Sequence, residues 1–189
     1  PSYRQIFSLV LQAWRNHVKQ QPDDNVVTMT SLKNLVESAT RAHHILKRLD
    51  GLANAEVFQQ SISTSDYLSV LQCWDKIVDF SRRIQTDSDE NLDRQEAREN
   101  LMSAVARTNE VWQLVLHRLS LNSRKEHSDI AAEKINLFHL YQTYMNILCR
   151  AGLGSEAESV FDFVLSWNPN WSNNRSSKHD DVTVGLKGQ

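Results

Sequence analysis

The chain is poor in residues that break helices and in residues that staple small folds. Its 189 residues include 5 glycines, 3 prolines and 2 cysteines. So few breakers in so long a chain disfavour a turn-rich β fold and favour helix. Cys73 and Cys149 lie far apart and neither has a CxxC neighbour. That disfavours a disulfide framework, and both read as reduced core thiols. No apolar run approaches the roughly 20 residues needed to cross a bilayer, so no membrane partner is expected. The formal net charge is −2, which leaves no strongly basic footprint for nucleic acid and at most a local basic patch. Pro1 opens the sequence with no cationic or apolar leader, as in a fragment or a processed form, so targeting stays open.

What is present is apolar spacing of three and four residues. Over 141–164, YQTYMNILCRAGLGSEAESVFDFV, it draws two short helices folded back on each other. Tyr141, Met145 and Leu148 share one helix face. Ala151 and Gly152 end that helix, with Gly152 where a left-handed residue costs least. Ser155 opens the next helix, and Glu158 stands at the spacing of a capping box. Ala157, Phe161 and Val164 mark its apolar face, and Asn168-Pro169 stops it.

Two further hairpins read the same way. Phe7, Val10, Leu11, Trp14 and Val18 form one face, widened by Ile6, Leu9 and Ala13, so that helix should be buried on more than one side. Thr28, Thr30 and Ser31 are candidate caps for the next helix. There Leu32, Leu35, Val36, Ala39, Ala42, Leu46 and Leu49 make a stripe that Asp50-Gly51 closes. The second hairpin begins near Ser65-Asp66 with Tyr67, Val70, Leu71, Trp74 and Val78. After an acidic loop at 86–93, a long helix over 92–121 carries Leu101, Met102, Val105, Trp112, Val115, Leu116 and Leu119. Thr108 and Asn109 interrupt its stripe. The predicted hairpins span 1–51, 65–121 and 129–167, with inserted connectors, and 168–189 reads as a polar, disordered tail.

The units resemble one another. VLQAW at 10–14 and VLQCW at 70–74 differ in one letter. Aligning them sets Phe7 over Tyr67 and Leu11 over Leu71. In the second helices, Ala42, Leu46 and Leu49 fall over Trp112, Leu116 and Leu119, and over Ala157, Phe161 and Val164. The third unit resembles the pentatricopeptide repeat, in which a Tyr-led helix ending in Cys-Lys-Ala-Gly precedes an Ala-x-x-x-Leu/Phe-x-x-Met helix. Tyr141, Met145, Leu148, Cys149, Arg150, Ala151, Gly152, Ala157 and Phe161 carry the likeness, and Val164 stands for the Met. The first unit is similar to family members with a Trp late in the first helix. In the second, Trp112 stands where the family has a small residue, so those helices must sit further apart or pack differently.

The resemblance implies an all-α fold, with helical-hairpin repeats stacked as a short right-handed α-solenoid. It implies a non-enzymatic binding module, part of a larger RNA-binding protein of a mitochondrion or plastid. Such arrays read single-stranded RNA at about one base per repeat. By position the readers would be Ser8, Leu68 and Gln142 after the leading aromatic residue, and Asn170 at the end of the third unit. Leu68 has no hydrogen-bonding group, which leaves Ser8, Gln142 and Asn170 as RNA-binding candidates. Each base stacked or read is worth about 1–3 kcal/mol, so binding by so few units should be weak. The alternative is a protein-interaction scaffold without RNA binding, for which the near-neutral charge and Leu68 speak.

Other signals are bland. His43 and His44 are adjacent and cannot face a common ligand, and no HxxxH or HExxH occurs, so neither metal nor cofactor is expected. GLGS at 152–155 lacks the GK[ST] and preceding strand of a phosphate loop. No GxSxG or acid pair suggests catalysis. Asp87, Asp89, Glu90 and Asp93 read as a solvated loop. Arg82-Arg83, Lys47-Arg48 and Arg124-Lys125 read as exposed helix ends, where the first two pairs suit the helix dipole. Asn170 and Asn174 each open an N-x-S triplet in the tail. Trp14, Trp74 and Trp112 lie on apolar faces and read as core.

Overall fold

The computed structural model describes residues 3–20, 27–54, 62–122 and 130–167. Among these residues there are six helices and no strand: α1 (Tyr3–Gln20), α2 (Met29–Asn54), α3 (Thr64–Asp87), α4 (Asn91–Asn122), α5 (Ile130–Arg150) and α6 (Gly154–Trp167). The protein is all-α. The expected tail, with Asn170 and Asn174, and the Arg124-Lys125 pair lie outside the described residues.

The core is organised around α3, which makes broad contact with α1, α2, α4 and α5, while α6 rests on α5. Its sequence explains this place. Tyr67, Val70, Leu71, Cys73, Trp74, Ile77, Val78, Phe80 and Ile84 are all buried. They cover far more than one stripe, and a helix apolar on several sides must be enclosed. The other broad contacts are α1–α2, α2–α4, α4–α5 and α5–α6.

The helix ends follow local chemistry. Of the three candidate caps for α2, Thr28 serves: its Oγ1 accepts from the Ser31 N–H at 3.2 Å. Helix α2 does not stop at Asp50-Gly51 but runs on to Asn54. Asp50 is buried there by a partner distant in sequence: Arg118 Nε donates to its Oδ1 at 3.1 Å. A second Arg118 nitrogen donates to the Asp50 carbonyl at 3.3 Å, and Tyr67 Oη lies 3.5 Å from the same carboxylate. The pair fastens α2 to α4 beside α3. The acidic loop expected at 86–93 shrinks to 88–90, with Ser88 Oγ accepting from the Glu90 N–H. Gly152 closes α5 at φ 81. The Leu153 N–H reaches the Leu148 carbonyl at 2.9 Å and the Gly152 N–H that of Cys149 at 3.1 Å, the paired bonds of a Schellman motif.

Several expectations fail. Ile6, Leu9 and Ala13 do not widen a buried face; all are exposed, as are Met102 and Phe161. α1 and α6 are the outer helices, each covered from one side. Thr108, by contrast, is fully buried, because its hydroxyl donates to the Ala104 carbonyl of its own helix at 2.8 Å. Of the two thiols only Cys73 is in the core; Cys149 is exposed.

Candidate binding surface

The sequence-derived reading positions lie on α1, α3 and α5. Ser8 is half-buried on α1, Leu68 half-buried on α3, and Gln142 exposed on α5. α3 contacts both α1 and α5, whereas no broad contact joins those two. Ser8 and Gln142 therefore share no pocket. They are separated by a helix whose own position carries a leucine.

The polar groups on these three helices are mixed in sign. Arg150 of α5 donates to Asp75 of α3 at 2.9 Å. Burial pushes the Asp75 carboxyl up, and Arg150 opposes it. Arg83 pairs with Asp79 at 3.1 Å. Lys76 lies over the Phe80 ring, 5.0 Å from its centroid. Arg15 Nε on α1 and Gln72 Oε1 on α3 are buried without a hydrogen-bond partner. Arg150 and Arg83 are answered by carboxylates and Arg15 Nε is not, so the face is mixed in charge.

Three further groupings join helices. Between α2 and α4, Glu110 collects Lys47 at 2.9 Å, Arg107 at 3.0 Å and His43 at 3.2 Å. Burial lowers His43 from 6.5 to about 4 despite the Glu110 charge. The ring is thus neutral at pH 7, and its Nε2–H donates to a carboxylate that can only accept. The same ring meets Trp74 edge-on, with centroids 6.0 Å apart. Between α4 and α5, Trp112 stacks on Tyr144 at 4.7 Å and meets Tyr141 at 5.0 Å. Trp112 thus occupies its place by stacking on aromatic partners. Burial raises both tyrosines to about 12, so they remain phenols, and the Tyr144 hydroxyl donates to Asn109 Oδ1 at 2.6 Å.

Between α1 and α2 lies an open cleft of about 510 Å³, lined by Trp14, His17, Asn34, Glu37, Ser38 and Arg41. The Arg41 guanidinium sits 5.8 Å from the Trp14 ring centroid and also bonds Glu37. His17 meets the indole edge-on at 6.1 Å.

Among the described residues no group of three or more His, Cys, Asp or Glu converges on a point that could hold a metal. His43 is buried and His44 exposed, as expected of adjacent helical positions. No helix there is long and apolar enough to cross a membrane. Sequence reasoning missed the cleft, the Glu110 cluster and the Asp50–Arg118 pair. The available signals were a lone carboxylate ending an apolar stripe at Asp50 and the i,i+3 spacing of Arg107 and Glu110. The chain matches no family model, no curated protein and no solved structure.

Proposed function

We propose that the protein is a non-enzymatic binding module of stacked pentatricopeptide-like hairpins. Its binding surface is the face shared by α1, α3 and α5, and its ligand is single-stranded RNA. The observation that carries this reading is the order of helix contacts. First helices meet first helices (α1–α3, α3–α5), α2 meets α4, and every broad contact stays within a hairpin or joins consecutive hairpins. A stack of two-helix units produces these contacts, although α4 and α6 lack the broad contact that α2 and α4 make, and such stacks present extended surfaces for a chain-like ligand. The family resemblance adds RNA as the ligand, Ser8 and Gln142 as contacts, and a mitochondrion or plastid as the setting.

A protein-binding scaffold is the second reading. Leu68 at the middle position favours it, as do the carboxylates paired to Arg150 and Arg83. A labelled single-stranded RNA of about ten nucleotides, titrated with the chain at several salt concentrations, separates the two. RNA binding predicts a weak anisotropy rise whose log affinity falls with log salt, by about 0.7 for each phosphate contacted. Gln142→Ala should weaken it about fivefold or more, at about 1–3 kcal/mol per base. If no salt-dependent rise appears at any protein concentration, the scaffold reading replaces it.

A further inference from the structure

Helix α1 carries two cations, Arg15 and Lys19, that no carboxylate answers among the described residues. They stand four positions apart, so they share one face of the helix. That face turns toward α3: both cations lie close enough to the buried Cys73 thiol to draw its proton affinity down. Like charges at this spacing repel, and α1 has no carboxylate along it to separate them. Its broad contacts are with α2 and α3, whose carboxylates are engaged elsewhere. Glu37 bonds Arg41 and Asp50 bonds Arg118. Asp66 caps α3, Asp75 bonds Arg150, and Asp79 bonds Arg83. Asp87 accepts from Thr86 in the last turn of α3.

The thiol is no counter-charge either. Burial pushes it up to about 12 against the pull of both cations, so it stays protonated and donates to the Ser69 carbonyl at 3.3 Å. The Arg15 Nε–H is buried with no acceptor, which is costly for a charged donor. Gln72 Oε1, one residue from Cys73, is a buried acceptor with no donor. The junction thus offers two positive charges, one unused N–H and one unused oxygen. An oxyanion satisfies the charges and the N–H, and a hydroxyl satisfies the oxygen. A ribose phosphate carries both groups side by side.

We propose that the α1–α3 junction binds a ribose phosphate, with Arg15 and Lys19 holding the phosphate and Gln72 Oε1 accepting from a sugar hydroxyl. For a phosphate within an RNA chain this rests on the function proposed above; for a free ribose phosphate it stands alone. The contact lies about two helical turns beyond Ser8 along α1.

Ribose monophosphate and a labelled single-stranded RNA of about ten nucleotides are the two probes, each tried on wild type, Lys19→Gln and Arg48→Gln. Lys19 and Arg48 are both exposed, so each variant loses one surface charge, and circular dichroism checks that both fold. At about tenfold excess over a millimolar dissociation constant, ribose monophosphate should raise the wild-type unfolding midpoint by about 3 °C relative to sodium chloride of equal ionic strength. Lys19→Gln should lose most of that rise, and Arg48→Gln should keep it. With RNA, Lys19→Gln should lower the salt slope by about 0.7, the share of one phosphate contact, and Arg48→Gln should leave it unchanged. Dependence on Lys19 with either probe supports the site. If it is seen with the free sugar phosphate and RNA does not bind at all, the site stands and the RNA reading falls. If RNA binds but neither probe distinguishes Lys19→Gln from Arg48→Gln, the site is overturned and the RNA reading stands. No response to either probe overturns both.

Discussion

VLQAW at 10–14 and VLQCW at 70–74 differ in one letter, and both place their leucine, Leu11 and Leu71, in the core. Gln12 and Gln72 are both half-buried. The tryptophans diverge. Trp74 is 2% exposed, while Trp14 is half-buried beside an open cleft. The five residues do not explain this; the neighbours do. α3 is held between α1, α2, α4 and α5, whereas among the described residues α1 makes broad contact only with α2 and α3. Local pattern decides which side of a helix turns inward, and position among the six helices decides how completely that side is covered. Removing the rings gives the largest expected effect. Trp74→Ala should cost about 3–5 kcal/mol, the range for emptying a packed aromatic site. Trp14→Ala should cost about 1–2 kcal/mol, because part of its ring already meets solvent and the vacated space opens to water. Urea unfolding of both variants measures the gap, and equal losses would show that the two motifs have like surroundings after all.

The imidazole covering Trp74 sharpens the same contrast through pH. His43 is lowered from 6.5 to about 4, chiefly by burial. Above pH 6.5 it is neutral in the folded and unfolded states alike and adds no pH dependence. As pH falls from 6.5 toward 4 the unfolded chain binds a proton that the folded chain refuses, so stability drops. At 1.36 kcal/mol per tenfold difference in proton affinity, the loss reaches about 3 kcal/mol near pH 4 and then levels off. His43→Gln should remove that slope and leave the acid limb of the carboxylates in place. Unfolding midpoints of wild type and variant across pH 7 to 4.5 decide it; parallel curves would mean that His43 is not held neutral by its burial.

Periodicity alone made six helices legible, because apolar residues three and four apart are a local property of the chain. Turn chemistry placed the ends of α4, α5 and α6 within a residue of those observed. Coverage was not legible. Ile6, Leu9, Met102 and Phe161 carry the same apolar signal as their buried neighbours, and nothing local says whether another helix arrives. Asp50 looked like a terminator because its partner, Arg118, stands 68 positions away. Thr108 looked like an interruption because its hydroxyl is satisfied by a carbonyl of its own helix. The candidate surface was legible only as positions, Ser8 and Gln142, carried by a resemblance. The cleft and the Glu110 cluster join different helices and have no contiguous signature.

Two glycines make a smaller version of the comparison, since both were read as helix ends. Gly152 is one, at φ 81. Gly51 lies inside α2 with nothing within 4 Å of where a Cβ would stand. Gly152→Ala should therefore destabilise by about 1–2 kcal/mol, the cost of a left-handed L-residue. Gly51→Ala should stabilise by about 0.5–1 kcal/mol, the helix-propensity gain. Thermal midpoints moving in the same direction would break the distinction.

The smallest contrast is between two serines. Ser155 and Glu158 have the sequence spacing of a capping box, yet α6 begins one residue earlier, at Gly154, and the Ser155 hydroxyl donates to Glu156 at 2.8 Å. The box that exists is at α3, where the third position is an aspartate. Ser63 Oγ accepts from the Asp66 N–H at 3.3 Å, and Asp66 Oδ2 accepts from the Ser63 N–H at 3.1 Å and from its hydroxyl at 2.7 Å. Asp66 is buried, so the shorter side chain fits where the start of α3 enters the core, and removing its partner strands a carboxylate lone pair. Ser63→Ala should cost about 1 kcal/mol, as lost N-caps do. Ser155→Ala touches only an exposed side-chain bond and should stay within about 0.5 kcal/mol of wild type. Equal costs, measured by urea unfolding, would place a working cap at Ser155 and move the start of α6 one residue on.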